Sequence, residues 1–293
     1  MQGFQYMRKY SIGRQVWRII YPIAVYFLVQ ALAEGAALFG VIFQRMIAAG
    51  MNFSVVDPWA FTQQILNSLI AQTLPALALA AVVSFPILGL YMANDRDDRR
   101  AWGIAKPRVS GGVIALAIVL GAAACVLGNE LISLSGIAEL SNQYISAETM
   151  LFSSNIFVEI AVVGVLVPIA EEMLNRGLVF RRMRDYVSFW PTAILSAVLF
   201  ALLHGNIVQG LYAFGVGLLM AYVYERSGSL WASILLHITA NTCSVLITEI
   251  PWISNRLSED RWFYLSMAVA AVLIVVCILG IEAARKARAR RGE

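Results

Sequence analysis

The chain has 293 residues, of which 60% are hydrophobic and 14% charged, with a mean hydropathy of +0.73 and a net charge of +4. An ordinary soluble domain carries about a quarter charged residues, so this composition excludes one and implies a bilayer as solvent. The small positive charge needs no nucleic-acid partner, and no nucleic-acid-binding motif is present.

A window of about 19 residues, enough to cross a hydrocarbon core of about 30 Å, predicts eight spans. Arg8, Lys9, Arg14 and Arg18 precede the first, at roughly 19–43. This apolar run is too long for a signal-peptide core and has no clear small-residue cleavage site before Arg45, so it is expected to remain as an anchor. Glu34 lies inside it, either as an inward-facing hydrogen-bonded side chain or as a residue of a substrate cavity or ion pathway. The second span, at roughly 66–93, runs into the charged loop NDRDDRR. The third, at roughly 110–130, ends on Glu130 and is followed by about 22 residues without Lys or Arg.

The fourth span, at roughly 153–175, carries Glu159 and the stretch PIAEEMLNR. Glu130 and Glu159 are expected at the non-cytoplasmic interface, solvated. Tyr186 and Trp190 read as interface anchors. The fifth and sixth segments, at roughly 190–205 and 207–224, are separated by HGNI and read as two short spans or as a re-entrant pair. Gly205, Gly210, Gly215 and Gly217 there suit close helix packing rather than a nucleotide loop. Spans at roughly 229–248 and 262–283 follow, then a basic tail. Cys125, Cys243 and Cys277 all fall inside spans, where free buried thiols are expected.

Lys and Arg in short loops favour the cytoplasmic side. Setting Arg176 aside, 18 of the remaining 21 basic residues fall on one side of this topology. The expectation is therefore an all-α polytopic membrane bundle, residues 1–293 as one domain, about eight spans around an intramembrane polar cavity, with both termini cytoplasmic.

Charge at membrane depth costs a few kcal/mol unless it faces a partner or a wet cavity, which singles out Glu171, Glu172 and Arg176. Arg176 lies four residues after Glu172, the favourable order for an ion pair on one helix face, so Glu172 reads as structural. Glu171 has Asn175 at that spacing and a carboxylate beside it, the surroundings of a general base. Pro168, one turn earlier, frees a carbonyl and can kink the helix or admit water. The two histidines, His204 and His237, both lie in apolar spans. A hairpin turning near Val187 and Ser188 sets Glu171 beside His204. His237 and Asn241 share a face, and Phe200 stands one turn before His204 as a packing wall.

These three stretches, EEMLNR, FALLH and HITAN, resemble in order the EExxxR, FxxxH and HxxxN motifs of the CAAX protease and bacteriocin-processing (Abi) family of intramembrane proteases. The resemblance covers roughly 151–249, which would be the catalytic core. It implies that Glu171, assisted by His204, activates the water attacking a peptide carbonyl. His237 and Asn241 would hydrogen-bond the oxyanion, while Glu172 and Arg176 hold the helix. The implied partners are a membrane-bound protein or peptide substrate and the bilayer, in a plasma or inner membrane if the chain is prokaryotic. Glu171, His204 and His237 are also a conceivable zinc set, but HExxH is absent and the resemblance favours a glutamate mechanism with no obligatory metal. Two other classes compete: a binding or immunity protein of the same fold that does not cut, and a proton-coupled transporter.

Overall fold

The computed structural model describes residues 11–48, 57–101 and 110–291, and all regular structure among them is helical. Arg8, Lys9, Lys106 and Arg108 lie outside the described residues. In chain order the helices are α1 (Ile12–Ala48), α2 (Pro58–Ala101), α3 (Gly111–Ser135), α4 (Asn142–Leu151), α5 (Ile156–Met183), α6 (Phe189–Leu202), α7 (Ile207–Ser227), α8 (Leu230–Glu249), α9 (Pro251–Ser258) and α10 (Asp260–Arg290).

Six of them, α1, α2, α3, α7, α8 and α10, are long and apolar enough to cross a membrane, and the α4–α5 pair counts as a seventh if taken as one span. That pair is bent by 106°. The fifth expected span is the 14-residue α6, which at 1.5 Å per residue reaches about 21 Å and falls short of the hydrocarbon core. The sixth is a full 21-residue helix, so the sharp bend falls ahead of α5 rather than between the fifth and sixth segments. Two helices the hydropathy reading passed over, α4 and α9, are 10 and 8 residues long. The first is capped by Ser141, whose hydroxyl accepts from the Tyr144 amide at 3.2 Å. An averaging window longer than the element cannot register such a signal.

The exterior is apolar, as a lipid-facing surface requires: Leu28, Leu32 and Phe39 on α1 and Val272 and Leu279 on α10 are exposed. Inside, α8 is wedged between α3 and α5, while α6 packs along α7 and α1 along α2. The α3–α8 contact is backbone-close. A Cβ on Gly121 would sit 2.2 Å from the Leu236 carbonyl oxygen, so only glycine fits there.

One end of the bundle is closed by ion pairs. Arg182, on the last turn of α5, binds Asp95 of α2 at 2.7 and 3.1 Å, donates to the Tyr21 hydroxyl at 2.9 Å and reaches the Arg18 carbonyl of α1. Arg99 meets Asp185 at 2.6 Å, and Arg184 forks onto Glu225 of α7 at 2.7 and 3.0 Å. Burial pushes the Asp185 carboxyl above its ordinary range, opposed by the Arg99 charge. Arg288 of α10 donates to the Ser227 and Arg226 carbonyls, which places the described beginning and end of the chain in one charged layer.

Three acidic residues differ from expectation. Glu130 and Glu159 are buried rather than solvated. Ser266 donates to Glu130, and the Ser154 amide donates to Glu159 at 3.0 Å. Glu34 is exposed on α1 rather than inward-facing. Its place on the α1 circumference is set by the packing of α1 against α2, which one sequence does not reveal.

Candidate active site

The site is built on α5, whose hydrogen-bond ladder widens to the five-residue π pattern at Ile160–Leu166 and again at Met173–Phe180. Such wide turns often mark functional sites. The first has a chemical cause. The Val167 amide bonds the Val162 carbonyl five residues back; the next donor in that pattern would be residue 168, a proline without an N–H. The Val163 carbonyl is therefore left over, and Asn241 of α8 donates its Nδ2 to it at 3.0 Å. The carbonyl released by Pro168 thus receives a side chain, and one amide hydrogen of Asn241 is committed to it.

Between the two wide stretches stand the adjacent glutamates, in unequal surroundings. Glu172 is fully buried. Arg176 lies 2.5 Å from its Oε1, the Ser233 hydroxyl of α8 donates to its Oε2, and His237 Nδ1 lies 3.5 Å from Oε1. Arg176 is in turn held by the Gly217 carbonyl of α7 at 2.9 Å, with its guanidinium 4.8 Å from the centre of the Phe200 ring. The pair ties α5 to α6, α7 and α8.

The Glu171 side chain keeps 18% of its accessible surface. Its backbone carbonyl accepts from Asn175 at 2.9 Å, but its carboxylate accepts no hydrogen bond among the described residues. Facing it is His237, whose Nε2 lies 3.7 Å from Oε2. The His237 ring therefore sits between the two carboxylates, one nitrogen towards each.

His204 occupies the turn after α6, where Gly205 at φ 72° takes the left-handed conformation that lets the chain reverse into α7. Its Nδ1 lies 2.8 Å from the Phe200 carbonyl. A carbonyl can only accept, so Nδ1 carries the hydrogen and Nε2 of the neutral ring presents a lone pair. Phe200 meets both imidazoles edge-on, with ring centres 4.9 Å from His204 and 5.6 Å from His237. His204 makes no ion pair with Glu171. Helix α6 packs mainly along α7 and to a lesser extent against α5. The imidazole that closes on Glu171 is His237.

Zinc was the conceivable metal, with Glu171, His204 and His237 as donors. Among the described residues no group of three His, Cys, Asp or Glu side chains is close enough together to hold a metal ion. Glu171 and His237 approach one another, but His204 forms no such group with them, so the three-donor set is not assembled.

Residues 153–243, the stretch that contains both glutamates, both histidines and Asn241, match the family described as type II CAAX prenyl endopeptidase Rce1-like. This segment is thus similar to the CAAX protease and bacteriocin-processing family, in agreement with the resemblance of its three motifs. A stretch of 101 residues is also 27% identical to "Putative membrane peptidase YdiL" of Bacillus subtilis (strain 168), covering 34% of this chain and 41% of that protein. The chain thus matches about two fifths of the length of that curated relative. No solved structure matches. Within the family segment, sequence reasoning passed over Ser233, the second hydrogen-bond partner of Glu172. It lies one turn before His237 and so shares its helix face, a signal as strong as the one that linked His237 to Asn241.

Proposed function

We propose that the chain is an intramembrane endopeptidase that hydrolyses a peptide bond of a membrane-associated protein or peptide, with Glu171 activating the attacking water. One observation carries this reading: of two adjacent glutamates, Glu172 has both oxygens engaged and is fully buried, while Glu171 is partly accessible, has a carboxylate that accepts no hydrogen bond among the described residues, and faces an imidazole at 3.7 Å. A carboxylate held in a mostly dry site beside an imidazole is placed to move a proton.

In this reading Glu171 takes a proton from water as the water oxygen bonds to the substrate carbonyl carbon, and the carbonyl electron pair moves onto its oxygen. His204 assists through the Nε2 lone pair that its Phe200 hydrogen bond leaves free. His237 and the uncommitted amide hydrogen of Asn241 stabilise the oxyanion, donors being most effective where charge develops away from water. When the carbon–nitrogen bond breaks, the proton held by Glu171 passes to the leaving amine. Glu172 and Arg176 keep the elements in register, and Phe200 packs edge-on against both imidazoles. Residues 151–249 would form the catalytic core.

The reading takes the mechanism as metal-independent, since among the described residues no three His, Cys, Asp or Glu side chains are grouped as a catalytic zinc would require. The ion-paired end of the bundle, which carries Arg18, Arg99, Arg182 and Arg288, would face the cytoplasm by the positive-inside rule. The test is cleavage of a quenched-peptide library by the purified chain in liposomes, with and without a zinc chelator. Cleavage that survives chelation is expected. Cleavage lost to the chelator and restored by zinc would overturn the metal-independent mechanism. A protein that binds membrane peptides and cuts none would be the binding or immunity protein instead.

A further inference from the structure

The proposed oxyanion donors are partly committed: Asn241 holds the Val163 carbonyl, and His237 has a carboxylate on each side. A site that stabilises a developing oxyanion benefits from a donor not already bound to protein. Helix α1 brings one. Tyr26 is 5% exposed and belongs to one apolar cluster with Ala170 and Leu174, the residues one before and three after Glu171. Its neighbour Phe27 points outward at 40% exposure, so the inward face of α1 presents a phenol where its outward face presents plain apolar rings.

The Tyr26 ring packs in the same buried cluster as the residues that flank Glu171, yet its hydroxyl makes no hydrogen bond among the described residues. A buried tyrosine hydroxyl usually finds a partner. A substrate oxygen held beside Glu171 would supply that partner.

We propose that Tyr26, from a helix outside the matched segment, is a catalytic residue that donates its phenolic hydrogen to the carbonyl oxygen of the scissile bond as that oxygen becomes negative. This rests on the reading of Glu171 as the group that activates water. It makes the active centre a composite of α1, α5, α6 and α8. The hydrogen bond strengthens as charge develops, so its loss acts on turnover rather than on substrate affinity.

The experiment compares wild type, Tyr26→Phe, Glu171→Ala and a protein with 3-fluorotyrosine at position 26, on one quenched peptide that the wild type cuts. Tyr26→Phe keeps the ring and its packing, and thermal unfolding checks that the fold is retained. The expected result is a kcat roughly 100-fold lower for Tyr26→Phe, the order seen for removal of one oxyanion donor, with KM within about threefold. The more acidic fluorinated phenol should alter kcat and the pH dependence of kcat without altering KM, which a packing role would not do. If Glu171→Ala is inactive while Tyr26→Phe keeps kcat within twofold, Tyr26 is not catalytic and the Glu171 reading survives. If Glu171→Ala cuts as well as wild type, the Glu171 reading fails, and the role of Tyr26 that depends on it fails too.

Discussion

Replacing Glu172 by Gln removes a charge whose partner, Arg176, has no access to water: both side chains are 0% exposed. Breaking one side of a buried ion pair costs about 3–5 kcal/mol, because the remaining charge has lost its counter-charge without regaining solvent. The lower end applies here. A Gln carbonyl can still accept from one donor, and Arg176 keeps the Gly217 carbonyl and the Phe200 ring. About 3 kcal/mol is therefore expected. Glu171→Gln is the internal control. Its carboxylate accepts no hydrogen bond among the described residues and is partly solvated, so the same chemical change should cost less than about 1 kcal/mol. Equilibrium unfolding of the purified protein by sodium dodecyl sulfate in mixed micelles, followed by tryptophan fluorescence, measures both. Two neighbouring residues differing by about 2 kcal/mol in response to one substitution would be difficult to produce by a general effect of charge. Equal destabilisation, or a larger loss for Glu171→Gln, would refute the division of labour between the two glutamates.

Two further outcomes follow from the geometry. Asn241→Leu strips the Val163 carbonyl of its donor beside Pro168, leaving a buried acceptor unpaired at a cost of about 1–3 kcal/mol; hydrogen exchange should rise locally across residues 160–168, and unchanged exchange would contradict the origin assigned to the first wide turn. Gly121→Ala drives a Cβ to 2.2 Å from the Leu236 carbonyl oxygen, so α3 and α8 must separate; a loss of about 1–3 kcal/mol and displacement of the adjacent His237 are expected, and a variant as stable and as active as wild type would show that the contact is slack.

The bundle was legible because lipid-facing side chains announce themselves in any window of the right length. The short helices α4 and α9 were not, since each is smaller than that window. Within the site, pairs on one helix were readable from spacing alone: Glu172 with Arg176 meets at 2.5 Å as the four-residue interval requires. Pairs between helices were harder. His204 was expected beside Glu171 on the assumption that successive helices lie flush; α6 packs chiefly along α7, and the pairing of His237 with Glu171 at 3.7 Å was not read from the sequence. The wide turns of α5 also alter the rotation per residue, so facing positions drift from any straight-helix register. The Val163 carbonyl, left over by Pro168, shows the limit well. Its release follows from the covalent structure of proline, whereas its capture by Asn241 depends on how α8 docks. The exposure of Glu34 and the burial of Glu159 are likewise properties of packing partners rather than of local sequence.

The central claim is that Glu171 moves the proton of the attacking water. The most direct measurement is single-turnover cleavage of one peptide in liposomes by wild type and by Glu171→Gln, two proteins first matched for thermal unfolding. Loss of a general base lowers the rate by about 10²–10⁴, so a drop of at least 100-fold with unchanged stability is expected. A Glu171→Gln protein that cuts at the wild-type rate would contradict the account.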